Sequence, residues 1–199
     1  MAVTGLAGTL ELRDAGSGRR LRPPLQLGAA AQAMAFSADG GRLAVANIQG
    51  NLRLLDLGSG RVRQTAQLAG FPAHLSYAPD GRMLAIGLAE NGAELRDGRS
   101  LKLVARLPGG DEGWWVRFSP DGRLLAVVSP HYTQLWDVAK RRRLGPPLTG
   151  HEGLVFTAEF SPDGRTLATS GSDGSVILWD VGSRRALGKL PGPVGQISG

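Results

Sequence analysis

The stretch Phe160-Ser161-Pro162-Asp163-Gly164-Arg165-Thr166-Leu167-Ala168 decides the fold. Its Ser-Pro-Asp-Gly core suits a type I turn: a hydroxyl that can cap the turn, a proline with φ already fixed, and glycine at the fourth position. The block recurs as FSPDGRLLA from Phe118, YAPDGRMLA from Tyr77 and FSADGGRLA from Phe36. The turn aspartates Asp39, Asp80, Asp121 and Asp163 lie 41, 41 and 42 residues apart. A second block closes each unit: LLD at 54–56, LRD at 95–97, LWD at 135–137 and LWD at 178–180, with a further LRD at 12–14. Two markers on one period define a repeat architecture.

Each unit reads as β structure. After the turn comes an apolar run such as Leu124 to Val128, the length of a buried strand. A polar turn follows (Ser172-Asp173-Gly174 in the last unit), then Val176 to Asp180 as the next strand. A Gly/Arg turn leads to a more polar outer strand, for example Arg142-Arg143-Leu144-Gly145. No window sustains a helical apolar period. Four strands in such a unit make a propeller blade.

Gly150-His151, Phe160 to Gly164, and Trp179-Asp180 resemble the WD40 repeats, and the resemblance covers essentially the whole chain. It implies an all-β propeller of four-stranded antiparallel blades, about five of them. A partial unit spans 1–28, full units span 29–69, 70–108, 109–149 and 150–191, and 192–199 opens a further inner strand. The linker GPPLTGH at 145–151 is similar to repeats appended to large bacterial regulatory proteins with kinase, caspase-like or NTPase domains. The family also carries a buried polar network, and by resemblance His151, Thr169 (or Ser170), Asp173 and Trp179 build it here. Arg13, Leu55 and Arg96 replace the tryptophan in other units. Those blades are expected to rely on apolar packing, with Ala46, Gly87 and Val128 near the hydroxyl's strand position, because a half-satisfied network is worse than none.

Aligned to the repeat, Val3-Thr4-Gly5 is a second strand and Thr9 to Asp14 a third, so the inner strand of that blade is missing. Leu190 to Ser198 matches Leu148 to Phe156, the approach to an inner strand. Two readings follow. Residues 194–198 pair with the first blade and close a five-blade ring, capping its exposed strand edges. Alternatively the chain is an open arc, completed by blades of a longer parent chain or by a second copy.

Composition narrows the function classes. With 42% hydrophobic and 20% charged residues the chain can bury a core and is too apolar for disorder. Having no cysteine, it has neither disulfides nor thiolate metal ligands, which fits a reducing compartment. No leader is evident, and no run nears the roughly 20 apolar residues of a membrane span. The expectation is a cytoplasmic protein away from membranes.

Candidate sites divide into recurring and irregular residues. Asp14, Asp56, Asp97, Asp137 and Asp180 recur like the turn aspartates, and a group needed in every blade holds shape rather than performing chemistry. His151 has no second histidine at ligand spacing, so no metal, cofactor or catalytic residue is assigned. No phosphate loop or nucleophile elbow occurs. The irregular residues are Phe71, His74, Asp111, Glu112, Trp114, Trp115, His131, Tyr132 and Glu152. In this family the loops that carry them form one rim of the central channel. Strand parity puts Trp114 inward and Trp115 with Arg117 on the opposite face. Aromatics flanked by charges are the make-up of a binding hot spot, although both tryptophans could instead fill gaps between blades.

The arginines gather at the other end: Arg42, Arg82, Arg123 and Arg165 after the Asp-Gly turns, and Arg19, Arg20, Arg61, Arg63, Lys140, Arg141, Arg142, Arg143, Arg184 and Arg185 around the turn into the outer strand. With a net charge of +6, such a face could hold nucleic acid or another polyanion. The turn aspartates share it, and no aromatics interleave for base stacking. The leading expectation is therefore a non-catalytic scaffold or sensor for protein partners. Polyanion binding and a channel enzyme are the alternatives, the enzyme disfavoured by mostly apolar inner strands.

Overall fold

The computed structural model describes residues 2–4, 8–108 and 113–191. Asp111, Glu112 and the closing segment 194–198 lie outside the described residues. Each recurring turn is self-contained. Ser119 Oγ donates to Asp121 Oδ1 (2.6 Å), which also accepts the Arg123 amide (3.0 Å), while the Leu124 amide donates back to Ser119 Oγ (2.9 Å). Gly122 sits at φ 71°, a conformation that favours glycine. Ser161, Asp163 and Gly164 repeat the arrangement, with φ 70° at Gly164.

The described residues form five antiparallel sheets and no helix. The first sheet holds β1 (Ala2–Thr4), β2 (Thr9–Leu12) and β3 (Leu25–Gln26). The second holds β4 (Ala31–Phe36), β5 (Arg42–Asn47), β6 (Asn51–Asp56) and β7 (Arg61–Gln67). The third holds β8 (Pro72–Tyr77), β9 (Met83–Leu88), β10 (Gly92–Asp97) and β11 (Leu103–Leu107). The fourth holds β12 (Trp115–Phe118), β13 (Leu124–Ser129), β14 (Tyr132–Asp137) and β15 (Arg142–Arg143). The fifth holds β16 (Val155–Phe160), β17 (Thr166–Gly171), β18 (Ser175–Asp180) and β19 (Ala186–Pro191). Strand order follows chain order in every sheet. These are WD40-type propeller blades.

Alternate residues of each central strand pack against opposite neighbours. Ala44, Ala46, Leu52 and Leu54 of the second sheet meet Leu84, Ile86 and Leu88 of the third. Ala85, Ala93 and Leu95 turn the other way, toward Val116, Leu125, Val127 and Trp136 of the fourth. Ala126, Val128 and Leu135 meet Leu167, Ile177 and Trp179 of the fifth. Each buried aliphatic side chain contributes about 1.5–3 kcal/mol, so every joint between sheets is a small core of its own. At the ends of the series the pattern changes. β2 and β18 alternate buried with half-buried positions, whereas β9 and β13 are buried almost throughout. One face of each terminal sheet is thus uncovered among the described residues.

Two expectations need correction. Blades without tryptophan do not all rely on apolar packing. In the third sheet Arg96 donates from Nε to Glu94 Oε2 (2.8 Å), from Nη1 to Leu101 O (2.8 Å) and from Nη2 to Gln67 O of the second sheet (2.9 Å). Both side chains are buried, and Arg96 fills the slot that tryptophan fills elsewhere. Arg13 and Glu11 repeat the pair in the first sheet, with Nη1 donating to Gly18 O (3.0 Å). A guanidinium fork satisfies several acceptors at once, which is how it can stand in for an indole. Second, the strand ladders pair Thr169 with Ile177, Val127 with Gln134, Ile86 with Glu94, and Val45 with Arg53. The counterparts of Thr169 are therefore Val45, Ile86 and Val127. Ala46, Gly87 and Val128 lie one residue on, where every side chain faces the other way.

Candidate functional site

The recurring carboxylates are occupied by the fold. Asp56, Asp97 and Asp180 each accept the amide and hydroxyl of the serine three residues on. The serine hydroxyls and backbone amides hold Asp39 (down to about 2), Asp121 and Asp163 below the usual carboxylate range. These groups are anionic and already engaged, and none is positioned as a general acid.

His151 lies in the loop between β15 and β16 with its side chain 2% exposed. Its Nδ1 is 3.1 Å from Asp173 Oδ1, and its Nε2 is 2.8 Å from Thr169 Oγ1. Trp179 Nε1 donates to that same Thr169 oxygen (3.0 Å). Since a carboxylate only accepts, Nδ1–H donates to Asp173, and Nε2 is left to accept the threonine proton. Burial pushes the Asp173 carboxyl up, but the Glu152 amide, the Ser175 hydroxyl and amide and the His151 ring outweigh it and hold it well below the usual range. Hydroxyl, imidazole and carboxylate are the parts of a nucleophilic triad. Here Thr169 is 2% exposed and its oxygen is taken by the indole, so the chain of bonds fixes a blade. Gly171 gives the ring room, because a Cβ there would stand 2.6 Å from Nδ1. Trp136 lacks such support. Val127 stands where the hydroxyl would be, and Trp136 Nε1 is buried with no hydrogen-bond partner.

The irregular residues that are described sit at the end of the sheets where outer strands lead into inner ones. His74 on β8 and Trp115 on β12 stack across two blades, with ring centroids 3.6 Å apart and planes 16° from parallel. His74 Nδ1 lies 3.1 Å from Val116 O, so it carries the proton and Nε2 keeps its lone pair. Burial lowers the His74 pKa to about 4, with the Arg117 charge adding to that effect and the Val116 carbonyl opposing it, so the ring is neutral at pH 7. Trp115 Nε1 is buried without a partner.

Trp114 is half-buried just ahead of β12, its amide donating to Val128 O (2.9 Å). Phe71 is 39% exposed, and its carbonyl accepts the Ala89 amide (3.0 Å), which ties the entry of the third sheet to the β9–β10 turn. His131 is exposed on the β13–β14 turn, and Tyr132, half-buried, opens β14. Glu152 is exposed, with Lys189 Nζ 3.9 Å from its carboxylate. Of these residues, His74 and Trp115 are in ring contact. The others are distributed over the same end of the third, fourth and fifth sheets.

Two features at the opposite end escaped the sequence reading. Where the inner strands converge, Phe36, Tyr77, Phe118 and Phe160 with Pro79, Pro120 and Pro162 surround a cavity of about 530 Å³. Arg117 of the fourth sheet and Glu159 of the fifth form an ion pair across it. The aromatic that opens each FSPDG-type block was the available signal. The second is a recess of about 570 Å³ between the third and fourth sheets, with Met83 and Val138 in its wall.

Residues 143–180 match the family model for the WD domain, G-beta repeat. Over 111 residues the chain is 36% identical to DDB1- and CUL4-associated factor 10 of Homo sapiens, covering 54% of this chain and 20% of that protein. It is 39% identical over 80 residues to the small ribosomal subunit protein RACK1 of Caenorhabditis elegans, covering 39% of this chain and 24% of that protein. Over 161 residues it is 28% identical to THO complex subunit 3 of Arabidopsis thaliana, covering 78% of this chain and 50% of that protein. The chain thus spans between about a fifth and a half of the length of these relatives. All three are eukaryotic, and none is a bacterial regulatory protein of the kind the 145–151 linker resembles.

Proposed function

We propose that this WD-repeat chain is a non-catalytic platform that binds protein partners through the loop rim holding Phe71, His74, Trp114, Trp115, His131, Tyr132 and Glu152. One observation carries the reading. The turn groups that recur from blade to blade are consumed by their own hydrogen bonds, while the irregular aromatic and charged groups lie at the other end of the sheets, His74 and Trp115 among them in ring contact. Rigid aromatics on loops fixed by a sheet scaffold are what a recognition surface needs. The names of the relatives agree in kind: an associated factor, a ribosomal subunit protein and a subunit of a complex all belong to assemblies. A polyanion on the arginine face would leave the rim aromatics without a role.

The test is affinity capture on the immobilised chain, wild type against Phe71→Ala, His131→Ala and Trp115→Ala, with an Arg61→Glu/Arg63→Glu variant as the opposite-end control. Partners lost with the rim variants and kept with the control support the reading. Partners lost only with the arginine variant, in a strongly salt-dependent way, would replace it with polyanion binding.

A further inference from the structure

The joints between sheets are not finished alike at the Asp-Gly turn end. Between the second and third sheets Arg42 lies along the seam, its side chain 16% exposed, and Nη1 donates to Gly98 O (3.1 Å), beside Tyr77 Oη (3.2 Å to the same carbonyl). That seam is plugged by a hydrogen-bonded guanidinium. One joint on, the residue in register with Arg42 is Met83, and the residue in register with Gly98 is Val138. With no long donor to fill it, the seam between the third and fourth sheets opens into the recess of about 570 Å³, whose floor is Met83, Leu124, Val138 and Ala139.

The edge of this recess is cationic. Arg82, Arg123 and Lys140 line it, with side chains 83%, 85% and 64% exposed. Their nearest carboxylates, Asp80, Asp121 and Asp137, are 3.7–3.8 Å away and already accept the backbone amides of Arg82, Arg123 and Lys140. Three cationic side chains thus stand in the lining of the recess against the two carboxylates Asp80 and Asp137. Arg143 is not among them, because it donates to Pro108 O (2.6 Å) and covers the Trp136 ring.

We infer that this recess is a second docking surface, fitted to an acidic peptide segment of a partner protein that inserts one aliphatic side chain between its carboxylates. The aliphatic group removes the Met83, Leu124 and Val138 surfaces from water, and the carboxylates meet guanidinium and ammonium groups whose own pairing is weak. A bare polyanion would meet the charges and leave the apolar floor exposed, so it fits less well. The inference rests on the reading of the chain as a protein-binding platform, but places this contact at the end of the sheets away from the aromatic rim.

Fluorescence anisotropy of the full chain with a fluorescein-labelled synthetic peptide, one leucine between runs of aspartate and glutamate, tests it. Replacing that leucine by serine should weaken binding about tenfold or more. Arg82→Glu with Lys140→Glu, exposed positions that leave the core intact, should weaken it about as much, and Ala139→Glu should also block entry. Trp115→Ala should leave it unchanged. Equal binding of the leucine and serine peptides would reduce the site to charge attraction and overturn the inference. Absence of binding, or binding insensitive to the recess variants, would do the same. Neither outcome touches the rim reading, which fails only if the rim variants of the capture experiment retain their partners.

Discussion

Thr169→Val removes a single oxygen with little change of shape and tests what the polar network contributes. The hydroxyl accepts from Trp179 Nε1 and donates to His151 Nε2, and both rings are buried. Each orphaned group costs about 1–3 kcal/mol when water cannot replace the lost partner. The greater apolarity of valine offsets about 1 kcal/mol of the total for the two groups, so a net loss of about 1–5 kcal/mol is expected. The fourth sheet shows that one orphan is tolerable, since Trp136 Nε1 is buried beside Val127 without a partner. In the fifth sheet the same change leaves two. Because this sheet has one uncovered face and the units of a repeat array contact only their neighbours, the loss should appear as early unfolding of the fifth sheet. Urea denaturation followed by tryptophan fluorescence, with hydrogen exchange over β17 and β18, measures it. A change within about 0.5 kcal/mol, or exchange accelerated evenly over all sheets, would refute the assignment of the network as the local clamp of this blade.

Three further outcomes follow from other joints. Arg96→Leu should cost up to about 3–5 kcal/mol by leaving the buried Glu94 carboxylate with only the longer contact to the exposed Arg106 (3.5 Å), while the double change with Glu94→Leu should recover most of that, a contrast thermal melts can read. The His74 ring is held neutral, with its pKa down from 6.5 to about 4; stability is therefore whole above pH 6.5 and falls as the pH drops toward 4, by about 3 kcal/mol at most. Comparing acid titrations of wild type and His74→Gln isolates that component, which vanishes in the variant if the assignment is right. Gly113→Ala should destabilise the third–fourth joint severely, since a Cβ there would lie 2.1 Å from Gly92 O; an unchanged melting temperature would contradict the close approach.

How much of this was legible in the sequence depends on the range of each interaction. Turns closed within a few residues, such as Ser161-Pro162-Asp163-Gly164, announced both the strands and their period, because every partner is local. The polar network was legible as far as resemblance placed His151, Asp173 and Trp179. The register of the other blades was not, because moving by one residue exchanges Val127 for Val128, two residues equally apolar in sequence and opposite in facing. The buried Glu94–Arg96 pair was not legible where apolar packing was expected, since one of its bonds, to Gln67 O, reaches into the neighbouring blade. The His74–Trp115 stack and the recess at Met83 and Val138 join residues of different blades, and no single repeat contains both halves of either.

The central claim is that recurring residues hold the shape and irregular ones do the recognising. Paired measurement of melting temperature and partner affinity for Asp121→Ala and Phe71→Ala tests it most directly. The account predicts that Asp121→Ala lowers the melting temperature and, while folded, keeps its partner, whereas Phe71→Ala melts like wild type and loses it. The reverse assignment, with the turn variant losing the partner and the rim variant binding normally, would contradict it.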